Sequence, residues 1–230
     1  KQNMAKKRIL LIGAGQLGSR YLQGIAKSNL DIDITVSDPS KKSIELSQER
    51  LLEVENNHKI QFVNSLPKKN SYFDICIVST TANCRSEIVK ELYEKFDFKF
   101  IILEKLLAQS ISQLENIEEN INVNTNTKVW VNHPRRLMPF YKNINDHLKK
   151  NNEKPKNIKV IGNNWGIACN SIHFIDLTCW LFNTHPIECK TDKLNSWELS
   201  KRFGFYDLNG KMEVLFKNNI RLQLISKNSD

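Results

Sequence analysis

Apolar residues follow two rhythms through the first half of the chain. Short unbroken runs alternate with stretches in which apolar positions recur every three or four residues. Residues 8–12 (RILLI) form such a run, end at a glycine and read as a buried strand. Residues 17–28 follow with Leu17, Tyr21, Leu22 and Ile25 at helical spacing, then 33–37 (DITVS) read as a second strand closed by Asp38-Pro39. Residues 40–56 carry Ile44, Leu51 and Leu52 on one side and predict an amphipathic helix. Strands are expected at 60–63, 73–79 (FDICIVS), 100–104 (FIILE) and 129–132 (VWVN), with helices at 85–96 and 111–121. Parallel strands need long crossovers, so this alternation predicts a parallel sheet with helices on both faces.

The second half loses that alternation. Residues 136–148 read as one helix, 151–157 (NNEKPKN) as a polar linker, 158–163 as a strand and 172–182 as an apolar helix. Strands are expected at 203–208 and 212–216 around the turn Asn209-Gly210, and 220–225 (IRLQLI) alternates as a further strand. This pattern predicts an antiparallel sheet with a helix or two on one face.

Composition narrows the class. With 230 residues, 40% hydrophobic and 26% charged, the chain can build two modest cores. Its net charge of +9 comes from scattered lysines, with short clusters only at Lys6-Lys7-Arg8, Lys68-Lys69 and Lys149-Lys150. No basic stripe interleaved with aromatics suggests nucleic acid, and a mildly positive surface suits an anionic small molecule. The five cysteines are odd in number and include no C-x-x-C pair, so neither a disulfide framework nor a metal site is expected, and reduced thiols suit a cytoplasmic protein. No signal peptide or membrane-spanning run is present in the sequence given. It begins with Lys1 rather than Met and stops at Asp230 just after an alternating strand, which leaves open whether it is a complete protein.

One motif carries chemistry. Gly13-Ala14-Gly15-Gln16-Leu17-Gly18 is a G-x-G-x-x-G between a predicted strand and a predicted helix. In that context Gly13 permits the tight turn, Gly15 lets a pyrophosphate approach the backbone, and Gly18 lets helix and strand pack. The helix start, with Gln16 and Leu17, then offers free N–H groups and the positive dipole end to phosphates. Asp38 stands 20 positions after Gly18, where a carboxylate accepts from ribose hydroxyls and favours NAD. Ser40, Lys41 and Lys42 follow and would suit a 2′-phosphate, so NADP stays open. The plainer alternative makes the glycines an ordinary turn and Asp38 a helix cap. The fold class expected is therefore α/β: a doubly wound Rossmann sheet over 1–133, with an α+β domain and a mostly antiparallel open sheet over 134–230.

Taken together, the motifs resemble the glucose-fructose oxidoreductase / inositol dehydrogenase / MocA family. The resemblance rests on GAGQLG, on Val78-Ser79-Thr80-Thr81 at a strand end, and on Glu104-Lys105-Leu106 where the family reads Glu-Lys-Pro. It continues through Asn132-His133-Pro134-Arg135-Arg136 with Pro139 and Tyr141, and His173-Phe174-Ile175-Asp176 followed by Trp180-Leu181. It implies an NAD(P)-dependent oxidoreductase acting on a sugar, sugar nucleotide or cyclic polyol, and a homodimer or higher homo-oligomer formed through the C-terminal sheet. It also implies Lys105 and His173 as the catalytic pair, and Ser79, Thr80 and Glu104 beside the cofactor. Substrate contacts would come from Asn132, Arg136, Tyr141, Asn170 and Asp176.

Moving a hydride at a carbinol carbon requires a proton to move on its oxygen, and a lysine at a strand's carboxyl end and a histidine are suited to that. Each residue also has an ordinary reading. Lys105 would be a surface lysine, His173 a helix cap, Asp176 a structural group, Arg136 a partner for a carboxylate and Tyr141 core. Two departures from the family pattern stand out: Cys169 replaces the Asp four residues before the helix histidine, and Leu106 replaces the proline. The first keeps a non-catalytic dinucleotide sensor of the same fold as the alternative; transient oxidation by tightly bound NAD and nucleic-acid binding are further rivals.

Overall fold

The structure is a computed structural model and describes residues 6–68, 71–200 and 204–228. The chain divides into two compact units, Lys1–Asn132 and His133–Asp230.

In the first unit, β1 (Lys7–Ile12), β2 (Ile32–Ser37), β3 (Lys59–Val63), β4 (Ser71–Val78), β5 (Phe96–Leu103) and β6 (Lys128–Val131) form a parallel sheet in the order β3-β2-β1-β4-β5-β6. The order reverses between β1 and β4, the position at which open α/β sheets bind ligands beyond the strands' carboxyl ends. Successive residues of β1 serve opposite faces. Ile9 and Leu11 join Leu22 of α1 (Gln16–Ala26) and the partly buried Ile44 and Leu51 of α2 (Lys41–Leu51). Leu10 and Ile12 join Val89 and Leu92 of α3 (Arg85–Lys95) and Ile117 of α4 (Ile111–Val123). Two-sided burial explains why the inner strands β1, β4 and β5 carry unbroken apolar runs.

Two boundaries in this unit differ from the sequence expectation. The helix expected to reach residue 56 stops at Leu51, because the polar run after it supplies no apolar stripe and leaves Leu52 88% exposed. The strand expected to begin at residue 100 begins at Phe96. Residues 96–100 (FDFKF) alternate with period two, and Phe96 and Phe98 pack on Phe73 with ring centroids 5.8 and 6.2 Å away.

In the second unit, β7 (Asn157–Asn163), β8 (Pro186–Leu194), β11 (Gly210–Phe216) and β12 (Arg221–Lys227) form a mixed sheet in the order β7-β12-β11-β8. β11 is antiparallel to both neighbours, whereas β7 and β12 run parallel. The short strands β9 (Glu198–Leu199) and β10 (Tyr206–Asp207) pair separately. Helix α6 (Ile167–Phe182) covers one face of the sheet, with Ile167, Val214, Phe216, Leu222 and Leu224 at the centre of the core.

Three expectations for this unit are corrected. The single helix at 136–148 is two pieces, a 3-10 turn over Pro134–Leu137 and α5 (Pro139–Lys150). Pro139 disfavours helical backbone at the preceding residue, and Met138 is extended with φ −68° and ψ 132°. Helix α6 starts at Ile167 rather than 172; Asp207 accepts from Ala168 N at 2.9 Å and so caps the added turn. The pair Asn209-Gly210 does not close a hairpin between 203–208 and 212–216; Phe203 lies outside the described residues, and β10 pairs with β9 instead. Asn209 is buried, accepts from the Ser226 hydroxyl and donates to Asn164 Oδ1 at 2.8 Å, so its amide is held inside the unit. The tight hairpin joins β11 to β12, where Asn219 takes φ 63° and Asn219 N donates to Phe216 O at 2.9 Å.

Candidate cofactor site and a polar cluster in the second unit

The glycine loop lies at the carboxyl end of β1. Gly13 has φ 91°, and a Cβ at Gly18 would collide with the Gly13 carbonyl, so both positions are held to glycine by packing within the loop. A Cβ at Gly15 would meet nothing within 4 Å, which leaves this face of the loop open to an approaching group. Gly15 is the N-cap of α1 and makes no side-chain cap, so the helix's first N–H groups lack that partner. Asp38 is engaged in the loop itself, with Oδ2 accepting from Ala14 N at 2.7 Å and Oδ1 from Ser40 N at 2.8 Å. It ties the end of β2 to the glycine turn, while Ser40 caps α2 by accepting from Ser43 N. Gln16 is held by Arg50, which donates to its carbonyl at 2.9 Å and to its Oε1 at 2.5 Å. Leu17 is 45% exposed at the same helix start.

Ser79, just past β4, donates to Ile12 O at 2.9 Å and Gly13 O at 2.8 Å and so fixes the glycine turn from the other side of the switch point. The hydroxyl of Thr80 is buried and has no hydrogen-bond partner among the described residues. Glu104 follows β5 and is 4% exposed. It accepts from the Tyr21 hydroxyl and from Asn132 Nδ2 at 2.6 Å, and Asn132 also donates to Tyr21 Oη at 2.5 Å. Its second oxygen accepts from Lys105 N at 3.2 Å. Burial, followed by the hydrogen bond to Glu104 and its charge, pushes the Tyr21 phenol well above its usual range, so Tyr21 stays a donor. The Lys105–Leu106 peptide is cis.

Arg85, the first residue of α3, is 1% exposed. Its guanidinium donates to the carbonyls of Thr80, Leu106 and Leu107, the last at 3.3 Å. Burial pulls its pKa down, and the nearby Glu104 charge opposes that.

The second unit gathers a separate polar cluster. Arg136 donates through Nε to Asp176 Oδ2 at 2.7 Å and through Nη2 to Oδ1. This forked pair holds Arg136 above its usual pKa range, while Asp176 is 8% exposed. His133 Nδ1 lies 3.9 Å from Asp176, and its ring meets that of His173 edge-on at 6.2 Å. Tyr141 accepts from Arg135 Nη1 at 2.9 Å, and Arg135 lies 4.2 Å over the Phe174 ring. Asn170, in the first turn of α6, donates to Trp165 O just before the helix at 2.8 Å. Cys169 is exposed.

The sequence-derived candidates thus fall into two groups. Gly13, Gly15, Gln16, Leu17, Gly18, Asp38, Ser79, Thr80, Glu104, Lys105 and Asn132 surround the carboxyl ends of the first sheet. Arg136, Tyr141, Asn170, His173 and Asp176 belong to the second unit. Sequence reasoning did not assign Tyr21, Arg50, Arg85 or His133, whose roles come from contacts far apart in sequence. Among the described residues, no cluster of three His, Cys, Asp or Glu is placed to hold a metal ion, and no helix is long and apolar enough to cross a membrane.

No protein-family model and no curated protein sequence matches the chain. Solved structures do. The myo-inositol dehydrogenase of Lactobacillus casei, in complex with NAD(H) and myo-inositol, superposes with a TM-score of 0.71 at 15% identity, over 96% of this chain and 67% of that one. This chain has the inositol dehydrogenase fold. The myo-inositol 2-dehydrogenase of Lactobacillus plantarum gives 0.73 at 13% identity, over 97% and 71%. A myo-inositol dehydrogenase of Corynebacterium glutamicum gives 0.69 at 16%, over 98% and 69%. Within the inositol dehydrogenase fold, the chain therefore spans about two thirds of each of these relatives' length, and at such identities the likeness establishes the fold.

Proposed function

We propose that the protein is a nicotinamide-dependent oxidoreductase acting on a CH–OH group of a small sugar-like molecule, with a cyclic polyol as the first substrate to test. The observation that carries this reading is the open face of the glycine loop at Gly15, where a Cβ would meet nothing, at the start of a helix whose first N–H groups have no side-chain cap. A dinucleotide fits these residues. Its pyrophosphate would take the N–H groups of Gln16, Leu17 and Gly18, and the Asp38 carboxylate retains lone pairs for ribose hydroxyls, which favours NAD over NADP. Thr80, just past β4, is a further cofactor contact of this proposal. The fold relative bound to NAD(H) and myo-inositol supports the same class of cofactor and substrate.

When bound, the nicotinamide would accept or donate the hydride; the protein's task is to move the accompanying proton. Lys105 is the acid/base of this proposal, with its main chain oriented by Glu104. His173 is its second proton carrier, set beside His133 in the second unit. Arg136 and Asp176 bind each other within the second unit. Tyr141 and Asn170 are the further substrate contacts, with Asn132 supporting Glu104. Self-association through the open face of the β7-β12-β11-β8 sheet belongs to the same proposal and is read by sedimentation.

The test is direct. NADH and NADPH are titrated separately by nicotinamide fluorescence, and turnover is then measured on a panel of inositols and sugars. Micromolar binding of NADH, weaker binding of NADPH and turnover of at least one polyol are expected. Lys105→Ala should lower kcat by about 100-fold or more and leave NADH binding within about threefold. Failure of folded protein to bind either cofactor rejects the reading.

A further inference from the structure

Arg85 is a buried cation whose hydrogen-bond partners among the described residues are main-chain carbonyls. It takes the carbonyl of Thr80, past the end of β4, and the carbonyls of Leu106 and Leu107, past the end of β5. A guanidinium is planar and carries five donors in a fixed fork, so it can hold two loops at a set separation in a way that an ammonium cannot. Taking such a cation out of water costs several kcal/mol, which a purely structural link between neighbouring parallel strands does not require. The loops it joins are those on which the cofactor and the reacting groups are expected to lie.

The segment around Lys105 is restrained from both ends. Before the lysine, Glu104 is fixed by Tyr21 and Asn132 and accepts from Lys105 N. After it, the carbonyls of Leu106 and Leu107 are bound by Arg85. The fixation extends to the glycine loop, because Thr80 adjoins Ser79 and Ser79 bonds Gly13 O at 2.8 Å.

We propose that Arg85 is a positioning residue for Lys105: its forked guanidinium locks the chain just after the lysine to the end of β4 and thereby sets where the ammonium is presented. The proposal rests on the reading of Lys105 as acid/base, and it predicts a property of Lys105 that can be measured without turnover. Release of the 106–107 carbonyls lets the lysine sample more solvent.

The experiment uses the full chain as wild type, Arg85→Met and Arg85→Lys, with folding checked by circular dichroism and thermal melting. Reductive methylation by formaldehyde and cyanoborohydride is timed, and each lysine is quantified by peptide mass spectrometry. Lys41, on the first turn of α2, is the internal reference. The rate at Lys105 relative to Lys41 is expected to rise at least threefold in both variants, including Arg85→Lys, which keeps a charge but not the fork. In the polyol assay kcat should fall at least 30-fold, with KM for NAD within threefold of wild type. A smaller change in the relative labelling rate in either folded variant overturns the proposal. So does failure of both variants to fold, since the guanidinium would then be a requirement of folding. A wild-type chain inactive on every polyol, with the labelling result intact, would remove the reaction and leave the positioning role.

Discussion

At the scale of single residues, the glycine loop separates two demands that a motif lumps together. A side chain at Gly18 runs into the Gly13 carbonyl, so Gly18→Ala forces backbone apart within the turn. A side chain at Gly15 meets open space, and its φ of −67° suits any residue. Gly18→Ala should therefore destabilise by about 2 kcal/mol or more, in line with overpacked sites. Gly15→Ala should cost no more than about 1 kcal/mol, the usual loss for a poorer N-cap. It should nonetheless weaken NADH by at least about tenfold, since a methyl would occupy the space needed by the pyrophosphate. Thermal melts paired with fluorescence titrations distinguish the two; equal cofactor affinity in Gly15→Ala and wild type would count against the phosphate role. The glycine spacing made this loop legible in the sequence, because its constraints are local. Arg85 and Tyr21 were not legible, since nothing near Arg85 in sequence announces that it will bind carbonyls at 106 and 107, or near Tyr21 that it will meet Glu104.

At the scale of elements, the run and periodicity signals found every strand of the first sheet: burial on both faces gives β1, β4 and β5 unbroken apolar runs, and β2, β3 and β6 showed as shorter apolar patches between the helical stretches. Edges were lost where another signal competed. The alternation of Phe96, Phe98 and Phe100 marks a strand, but the helix before it runs into Phe96 without a glycine or proline to mark the join. In the second unit β8 was missed, since it is exposed along most of its length and carries few apolar residues. The packing of α3 on the sheet makes a further prediction. Tyr93 lies against Phe98 with its hydroxyl buried and without a partner among the described residues. Burial, with a smaller contribution from Cys76, pushes its phenol up to about 12. An acid whose folded pKa is raised favours the folded state fully below its unfolded pKa, and that contribution is lost as pH rises through the folded value. Stability should thus fall between about pH 10 and 12. Tyr93→Phe should be neutral to mildly stabilising at pH 7, by up to about 1 kcal/mol, because it removes an unsatisfied buried hydroxyl. It should also blunt the alkaline loss. Urea melts at pH 7, 9 and 11 check both; an unchanged alkaline slope in the variant would assign that loss to other groups.

At the scale of the whole molecule, each core cluster draws its members from a single unit. The two clusters flanking the parallel sheet lie entirely within Lys1–Asn132, and the third lies entirely within His133–Asp230. The hydrogen bonds that shape the proposed cofactor site share this property. Asp38 to Ala14, Ser79 to Gly13, Arg85 to the loops after β4 and β5, and the Tyr21–Glu104–Asn132 group are all internal to the first unit. Asn132 is the last residue of that set, so a break after it keeps the Glu104 network whole, whereas a break a few residues earlier removes the donor that bridges Glu104 and Tyr21. Residues 1–132 produced alone should therefore unfold in one cooperative transition and bind NADH within about threefold of the full chain, since a domain with its own core can fold by itself. The same fragment carrying Asn132→Ala leaves Glu104 short of a buried donor and should lose about 1–3 kcal/mol. A thermal melt and a fluorescence titration on the two fragments provide the check. A non-cooperative melt of the 1–132 fragment would show that its cores need the second unit, and a cooperative melt without NADH binding would move part of the cofactor site out of the first.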